Sequence, residues 1–181
     1  MSERLDQAVV IALGSNLAGL YPSSEALLDA ALVRLGEHGL PVRARSSWWR
    51  SSAWPDPADP AFINGVALFD TDLASREVMA VLARLERDFG RLREAANAPR
   101  TLDLDLIAHG RAVIDDPGLI LPHPRAHERR FVMGPLAEIA PAWRHPVSGA
   151  SAAELAFRAE IGADAAPLGY AALRKGEQNA I

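Results

Sequence analysis

Ala98-Pro99-Arg100-Thr101-Leu102-Asp103-Leu104-Asp105-Leu106-Ile107 sets two carboxylates among three leucines, directly after a Pro-Arg pair. Such strict alternation is the pattern of a half-buried β-strand, so Leu102, Leu104 and Leu106 share one face and Asp103 and Asp105 the other. Residues two apart on a strand stand roughly 6.6 Å apart at the backbone, which lets two short acidic side chains hold one or two hard cations. Mg²⁺ takes oxygen ligands and commonly completes its shell with phosphate oxygens, so the pair points to a nucleotide-phosphate site. Arg100 would bring positive charge to the same phosphates. Ordinary solvent-facing aspartates on an amphipathic strand give the same pattern, and this stretch alone leaves both readings open.

Composition narrows the class. A chain of 181 residues with 49% hydrophobic content is expected to form one domain, with a core over about 8–162 and a weakly patterned, Ala-rich tail over 163–181 that carries no assigned function. No apolar run approaches the length of a membrane span, and the start of the chain is charged, so a soluble, cytoplasmic protein is expected. The absence of cysteine excludes disulfides, thiolate zinc sites and a cysteine nucleophile. A net charge of -4 argues against nucleic-acid backbones and anionic membranes as partners. The expected partners are small molecules, and the expected state is a monomer.

Positive charge is nonetheless concentrated locally. Arg84, Arg87, Arg91, Arg93 and Arg100 precede the aspartates, and His123, Arg125, His127, Arg129 and Arg130 follow them, bracketing the acidic strand as a polyphosphate and metal site would. A solvated basic helix face accounts for Arg84 and Arg87 equally well.

The remaining elements follow in order. Ala8 to Leu13 reads as a buried strand stopped by Gly14-Ser15-Asn16; Gly14 and Gly19 have P-loop spacing, but Leu20-Tyr21 stands where Lys-Ser/Thr is needed, so a structural turn is expected. Pro22-Ser23-Ser24-Glu25 starts a helix that Gly36 and Gly39 end, and Val42 to Arg50 reads as a second strand. A proline-rich loop over 51–60 leads to a third strand, Phe62 to Phe69. Within it Asn64 either ties down the preceding loop or reads a ligand's hydrogen-bonding edge. Ser75 is expected to cap a helix carrying the stripe Val78, Val81, Leu82, Leu85 and Phe89, with Glu86 near its unfavourable C-terminal end. Residues 90–97 read as a mobile loop of the kind that closes over phosphate sites. His123 and His127 have the spacing of a helical zinc pair, but Pro124 and the missing glutamate favour imidazole donors toward phosphate. Glu128 to Met133 reads as a helical turn, Pro135 as the start of another, and Ser151 with Glu154 as a capping box opening a helix to about Ile161.

Taken together, Gly14-Ser15-Asn16-Leu17, Phe62-Ile63-Asn64, Glu86 with Gly90-Arg91, Pro99-Arg100-Thr101-Leu102-Asp103-Leu104-Asp105, and Pro122-His123 with Arg129 and Phe131 resemble the 6-hydroxymethyl-7,8-dihydropterin pyrophosphokinase family over about residues 8–145. The resemblance implies an α+β fold with a ferredoxin-like βαββαβ core, helices on the sheet and a C-terminal helical extension. It implies ATP as co-substrate, two Mg²⁺ ions held by Asp103 and Asp105, and transfer of diphosphate to the pterin alcohol in folate synthesis. It also implies phosphate contacts from Arg91 and Arg100, and nucleotide contacts from Glu86, Arg93, Arg100, Leu106, His123 and Arg129. Pterin contacts would come from Phe62, Asn64, Phe131 and Trp54. Relatives often carry an aromatic near Asn97, where Glu94-Ala95-Ala96-Asn97 is blander. A non-catalytic nucleotide- or pterin-binding module of the same fold, and a phosphohydrolase using the same aspartates, are the alternatives. The intact Arg100, Asp103 and Asp105 favour catalysis over sensing, and the aromatic pair favours an organic acceptor over water.

Overall fold

The structure, a computed structural model, describes residues 5–53, 57–90 and 101–169. Strand β1 (Val9–Ser15) leads into helix α1 (Ser24–Glu37), then strands β2 (Val42–Arg45), β3 (Trp49–Ser51) and β4 (Phe62–Phe69), helix α2 (Ser75–Asp88) and strand β5 (Asp103–His109). A short hairpin of β6 (Ile114–Asp116) and β7 (Leu119–Leu121) follows, then a 3₁₀ turn (Ala126–Glu128), helices α3 (Arg130–Ile139) and α4 (Ala152–Arg158), and a short strand β8 (Ala166–Pro167). The main sheet runs β5-β1-β4-β3-β8 with β2 also paired to β4, and every pairing is antiparallel. Its βαββαβ portion is the ferredoxin-like core expected from the sequence.

β1 reads as an unbroken apolar run because both faces of the sheet are covered. Val9, Ile11 and Leu13 pack with Leu28, Leu35, Leu82 and Leu85 of α1 and α2. Val10 and Ala12 pack on the other side with Val132, Met133 and Leu136 of α3 and Leu155 of α4. Among the described residues no helix is long and apolar enough to cross a membrane.

Several local expectations are corrected. The strand expected over Val42 to Arg50 is interrupted over residues 46–48, where Glu138 of α3 accepts hydrogen bonds from the Ser47 backbone (2.8 Å) and hydroxyl (2.7 Å) and draws that residue out of the ladder. Ser75 is not the cap of α2; Ala74 holds that place, its N–H donating to Glu77 at 2.7 Å, and the Ser75 hydroxyl is hydrogen-bonded to His109 Nδ1 at 2.6 Å. Gly14 and Ser15 belong to β1 rather than to a turn. The two turns expected around Pro135 are one helix, which passes through the proline while Met133 and Leu136 stay fully buried against the sheet. The Ser151–Glu154 capping box is present, but α4 ends at Arg158, and the chain beyond it turns back to bridge Arg129. Of the tail, residues 163–169 are docked on the sheet edge through β8 and a hydrogen bond from Leu168 N to Trp48 O at 2.8 Å.

The buried indole of Trp49 shows how tightly α3 sits on the sheet. A Cβ placed on Gly134 would lie 2.6 Å from the Trp49 ring, so Gly134→Ala should lower stability by about 1–3 kcal/mol through overpacking. This outweighs the gain of about 1 kcal/mol that Ala normally brings to a helix, and denaturant melts decide the sign. Trp49 Nε1 also donates to Glu138 at 2.9 Å. Burial pushes the Glu138 carboxyl up, but the hydrogen bonds from Ser47 and Trp49 outweigh it and hold the pKa below its ordinary 4.5. A depressed folded-state pKa stabilises the protein above the unfolded value, and that stabilisation is lost as pH falls through the folded one. Glu138→Ala should therefore cost about 1–2 kcal/mol at neutral pH, a difference that closes on acidification in paired urea titrations.

Candidate active site

The alternation read from β5 survives in three dimensions. Leu102, Leu104 and Leu106 are buried against α1 and α2, whereas Asp103 and Asp105 are half-buried on the opposite face. Pairing across β1 aligns Asp105 with Ala12 and Asp103 with Gly14. Gly14 is aligned in turn with Asn64 of β4, and Asn64 with Trp49 of β3. Asp103, Gly14, Asn64 and Trp49 thus form one row across four strands, on the face that α3 covers. Glycine leaves the middle of that row open, since a Cβ at Gly14 would stand 3.4 Å from Asn64 Oδ1 and 3.9 Å from the Asp103 Cβ.

The carboxylates are held from the outer edge of β5 as well. Glu86 is buried, and its Oε1 accepts a hydrogen bond from the Leu104 N–H, between the two aspartates, at 2.9 Å. Its unfavourable place near the end of α2 thus has a partner in the β5 backbone. His123 N donates to Ile107 O at 2.8 Å, securing the next section of that edge.

α3 begins over this face. Arg129, the residue before its first turn, places Nη1 3.8 Å from Asp105 Oδ2 and its guanidinium 5.8 Å from the centre of the Phe131 ring. Burial lowers the His123 pKa, the Asp105 carboxylate opposes that shift, and Arg129 and Arg125 add to it. The net direction favours a neutral imidazole at pH 7. Arg125 N donates to His123 Nδ1 at 3.2 Å, which leaves Nε2 to carry the proton and to donate outward. His127 faces His145 instead, with ring centres 5.6 Å apart, so the sequence spacing of four does not make it a partner of His123.

The model of the 7,8-dihydro-6-hydroxymethylpterin-pyrophosphokinase (HPPK) family matches residues 10–141, which takes in the whole row and the start of α3. The chain belongs to this family. It is 40% identical over 147 residues to a 2-amino-4-hydroxy-6-hydroxymethyldihydropteridine pyrophosphokinase of Synechocystis sp., covering 81% of this chain and 73% of that one. It is 41% identical over 140 residues to the Pseudomonas aeruginosa protein of the same name, covering 77% and 85%. A crystal structure of Plasmodium falciparum HPPK-DHPS with pteroate shares the fold at a TM-score of 0.66 and 10% identity, over 83% of this chain and 44% of that longer one.

Within the HPPK fold, the structure gathers Asp103, Asp105, Arg129 and His123 at one end of the face, with Asn64 one strand beyond Gly14. Phe62 shares the Asn64 side of β4 by alternation, and Phe131 follows Arg129 on α3. The Asn64 amide donates to Ser51 Oγ at 3.0 Å, so it does tie down the start of the loop after β3. The Leu106 side chain lies on the other face, in the α1–α2 core, and only its backbone borders the site. Trp54, Arg91, Arg93, Asn97 and Arg100 lie outside the described residues.

The bond from Asn64 to Ser51 and the opening at Gly14 escape a reading of the sequence, although Gly14 belongs to one of the blocks that carry the family resemblance. Their roles depend on strand register, and the single signal available was the amide set in the apolar run at Asn64. If the row is the substrate floor, Gly14→Val should keep far-UV circular dichroism near that of the native chain while lowering kcat/KM by at least about tenfold, because a branched side chain would separate Asp103 from Asn64.

Proposed function

We propose that this chain transfers diphosphate from ATP to the hydroxymethyl group of 6-hydroxymethyl-7,8-dihydropterin, giving AMP and the pterin diphosphate, as a step of folate synthesis. The observation that carries the reading is the row Asp103–Gly14–Asn64, which sets a paired carboxylate site and a donor–acceptor amide on one face with nothing bulky between them. In this reading Asp103 and Asp105 would hold two Mg²⁺ ions. Their donor set fits: two half-buried carboxylates on one face of β5 offer hard oxygen ligands and leave most of an octahedral shell to phosphate oxygens and water. Bound there, the ions would neutralise the triphosphate and lower the cost of deprotonating the substrate hydroxyl.

The chain's own residues align the reactants. The hydroxyl oxygen attacks the β-phosphorus as the bond to the AMP oxygen breaks, a reaction that needs in-line positioning and charge neutralisation more than a covalent nucleophile. Arg129 would bring its guanidinium from Asp105 to the phosphates, and a neutral His123 would donate from Nε2 to the nucleotide. Arg91, Arg93 and Arg100 would add charge from the segment before β5, and Glu86 would act through the Leu104 backbone that it holds. Phe62 and Phe131 would sandwich the flat pterin ring, with Asn64 on its edge and Trp54 beside it. A cysteine-free, mildly acidic chain suits a cytosolic monomer that handles small molecules rather than nucleic acid or membranes.

Measuring AMP release with and without the dihydropterin tests the reading: release that requires the acceptor supports it. Release without acceptor points to a hydrolase, and none at all to a binding module. Asp105→Ala should lower kcat by at least about a hundredfold, through loss of a metal ligand. Phe131→Ala should chiefly raise the pterin KM, by about tenfold, as the loss of one ring contact would. Comparable kinetic damage from both would contradict this division of labour.

A further inference from the structure

The HPPK family match ends at residue 141, yet residues 161–168 touch both walls of the site. On one side Ile161 forms a parallel bridge with Arg129: Arg130 N donates to Ile161 O at 2.8 Å, and Ile161 N donates to Glu128 O at 3.1 Å. The next residue, Gly162, has φ +69°, and a Cβ there would lie 2.5 Å from Phe131 Cδ1, so the backbone itself backs the ring. Two residues on, Asp164 Oδ2 accepts a hydrogen bond from Ser52 N at 2.6 Å, and the Ser52 hydroxyl also donates to this carboxylate. Ala166 and Pro167 then pair with Arg50 and Trp49 of β3. Ser51, the neighbour of Ser52, is the partner of the Asn64 amide.

We infer that residues 161–168 are a strap that sets the gap between the Phe131 wall and the Ser51–Ala53 wall, and that Asp164 is a positioning residue for the pterin-binding half of the site. The inference rests on the pterin reading given above. Three features support a positioning role. The strap reaches both walls within eight residues, it contacts none of the residues assigned to metal, and its polar anchor is a single exposed carboxylate whose loss leaves both hydrophobic cores untouched. Freed from Asp164, the chain after β3 loses the acceptor that fixes its direction, and the slot between that chain and Phe131 is no longer held at one width. The carboxylates on β5 keep their own supports in Glu86 and His123, and the strap's backbone bonds to Glu128 and Arg130 at the start of α3 do not involve Asp164.

The test compares wild type, Asp164→Ala, Asp164→Asn and Phe131→Ala by steady-state kinetics and by equilibrium binding of the pterin substrate with Mg²⁺ and a non-hydrolysable ATP analogue. Asp164→Ala should raise the pterin KM and Kd about three- to tenfold, leaving kcat at saturation and the ATP KM within about twofold of wild type. Asp164→Asn keeps an acceptor oxygen for Ser52 N and should recover most of the loss. Unchanged pterin binding in Asp164→Ala beside weakened binding in Phe131→Ala would overturn the strap and leave the pterin pocket standing. Equal loss of ATP and pterin affinity in Asp164→Ala would also overturn it, since that marks general loosening rather than positioning. Unchanged pterin binding in Phe131→Ala would remove the pocket reading itself, and the strap with it.

Discussion

The register of β5 against β1 governs what the protein can do. Side chains alternate along a strand, so a slip of one residue would turn Asp103 and Asp105 into the α1–α2 core and bring Leu104 and Leu106 onto the site face. Burying two carboxylates among leucines would cost several kcal/mol apiece, which makes the alternative pairing prohibitive. The leucines therefore do more than fill the core: by demanding the apolar side, they aim the aspartates at the other one. The register shifts once, between Val10 and Ile11, leaving Ile107 as the unpaired residue of β5. Because of that bulge, Ile107 and Ala108 both reach the α3–α4 core while the aspartates keep the same face upstream. One extra residue thus lets a single strand be acidic and half-exposed at one end and fully buried at the other.

β5 is also the edge of the sheet, and an uncovered edge frays and invites foreign strands. Glu86 takes up the Leu104 N–H and His123 N binds the Ile107 carbonyl, so the outer edge is capped by groups from two different elements. The same contacts place His123 close enough to Asp105 for their charges to interact, and bring the basic turn before α3 over the carboxylates. Edge protection and site assembly are here one set of hydrogen bonds. This explains how a carboxylate at the wrong end of a helix, against the macrodipole, comes to be buried without strain on the fold.

Several elements were legible in the sequence where local chemistry sets them: the leucine alternation of β5, the apolar run of β4 at its observed limits, the helix start at Pro22-Ser23-Ser24-Glu25, and the Ser151–Glu154 box, whereas the β6–β7 hairpin and β8 were not. What could not be read is what depends on partners distant along the chain. Glu138 breaks the strand expected over Val42 to Arg50 from 91 residues away, and Asp164 reaches Ser52 across 112. Gly14 resembles a turn residue until β1 is paired on both sides, and then its missing side chain becomes the opening in the row. Residues 161–168 have no amphipathic period because they form neither a helix nor a long strand. Their order comes from backbone bonds to Arg130, Glu128 and Trp48, which leave no mark on side-chain pattern. The metal and nucleotide candidates were visible because charge in an apolar strand is costly and so conspicuous, whereas walls made of backbone are not.

The geometry of the row bears on why an organic alcohol, rather than water, suits this face as the acceptor. Adjacent strands lie about 4.8 Å apart, so the backbones of Asp103 and Asn64, two strands apart with Gly14 between, stand about 10 Å apart, and the Asn64 amide oxygen leans back over Gly14 toward Asp103. In the proposed reading a flat bicyclic ring would lie over this floor, with its polar edge at the Asn64 amide and its one-carbon arm toward the carboxylates. Water needs no such floor. A pocket built only to admit it would gain nothing from an amide anchored to Ser51, from a glycine that keeps the floor level, or from a ring on α3 braced by a second glycine. In the proposed reading each of these features would favour a planar ligand held beside the acidic pair. Part of that binding free energy is available to orient the hydroxyl for attack, which is the use to which an enzyme transferring diphosphate would put it.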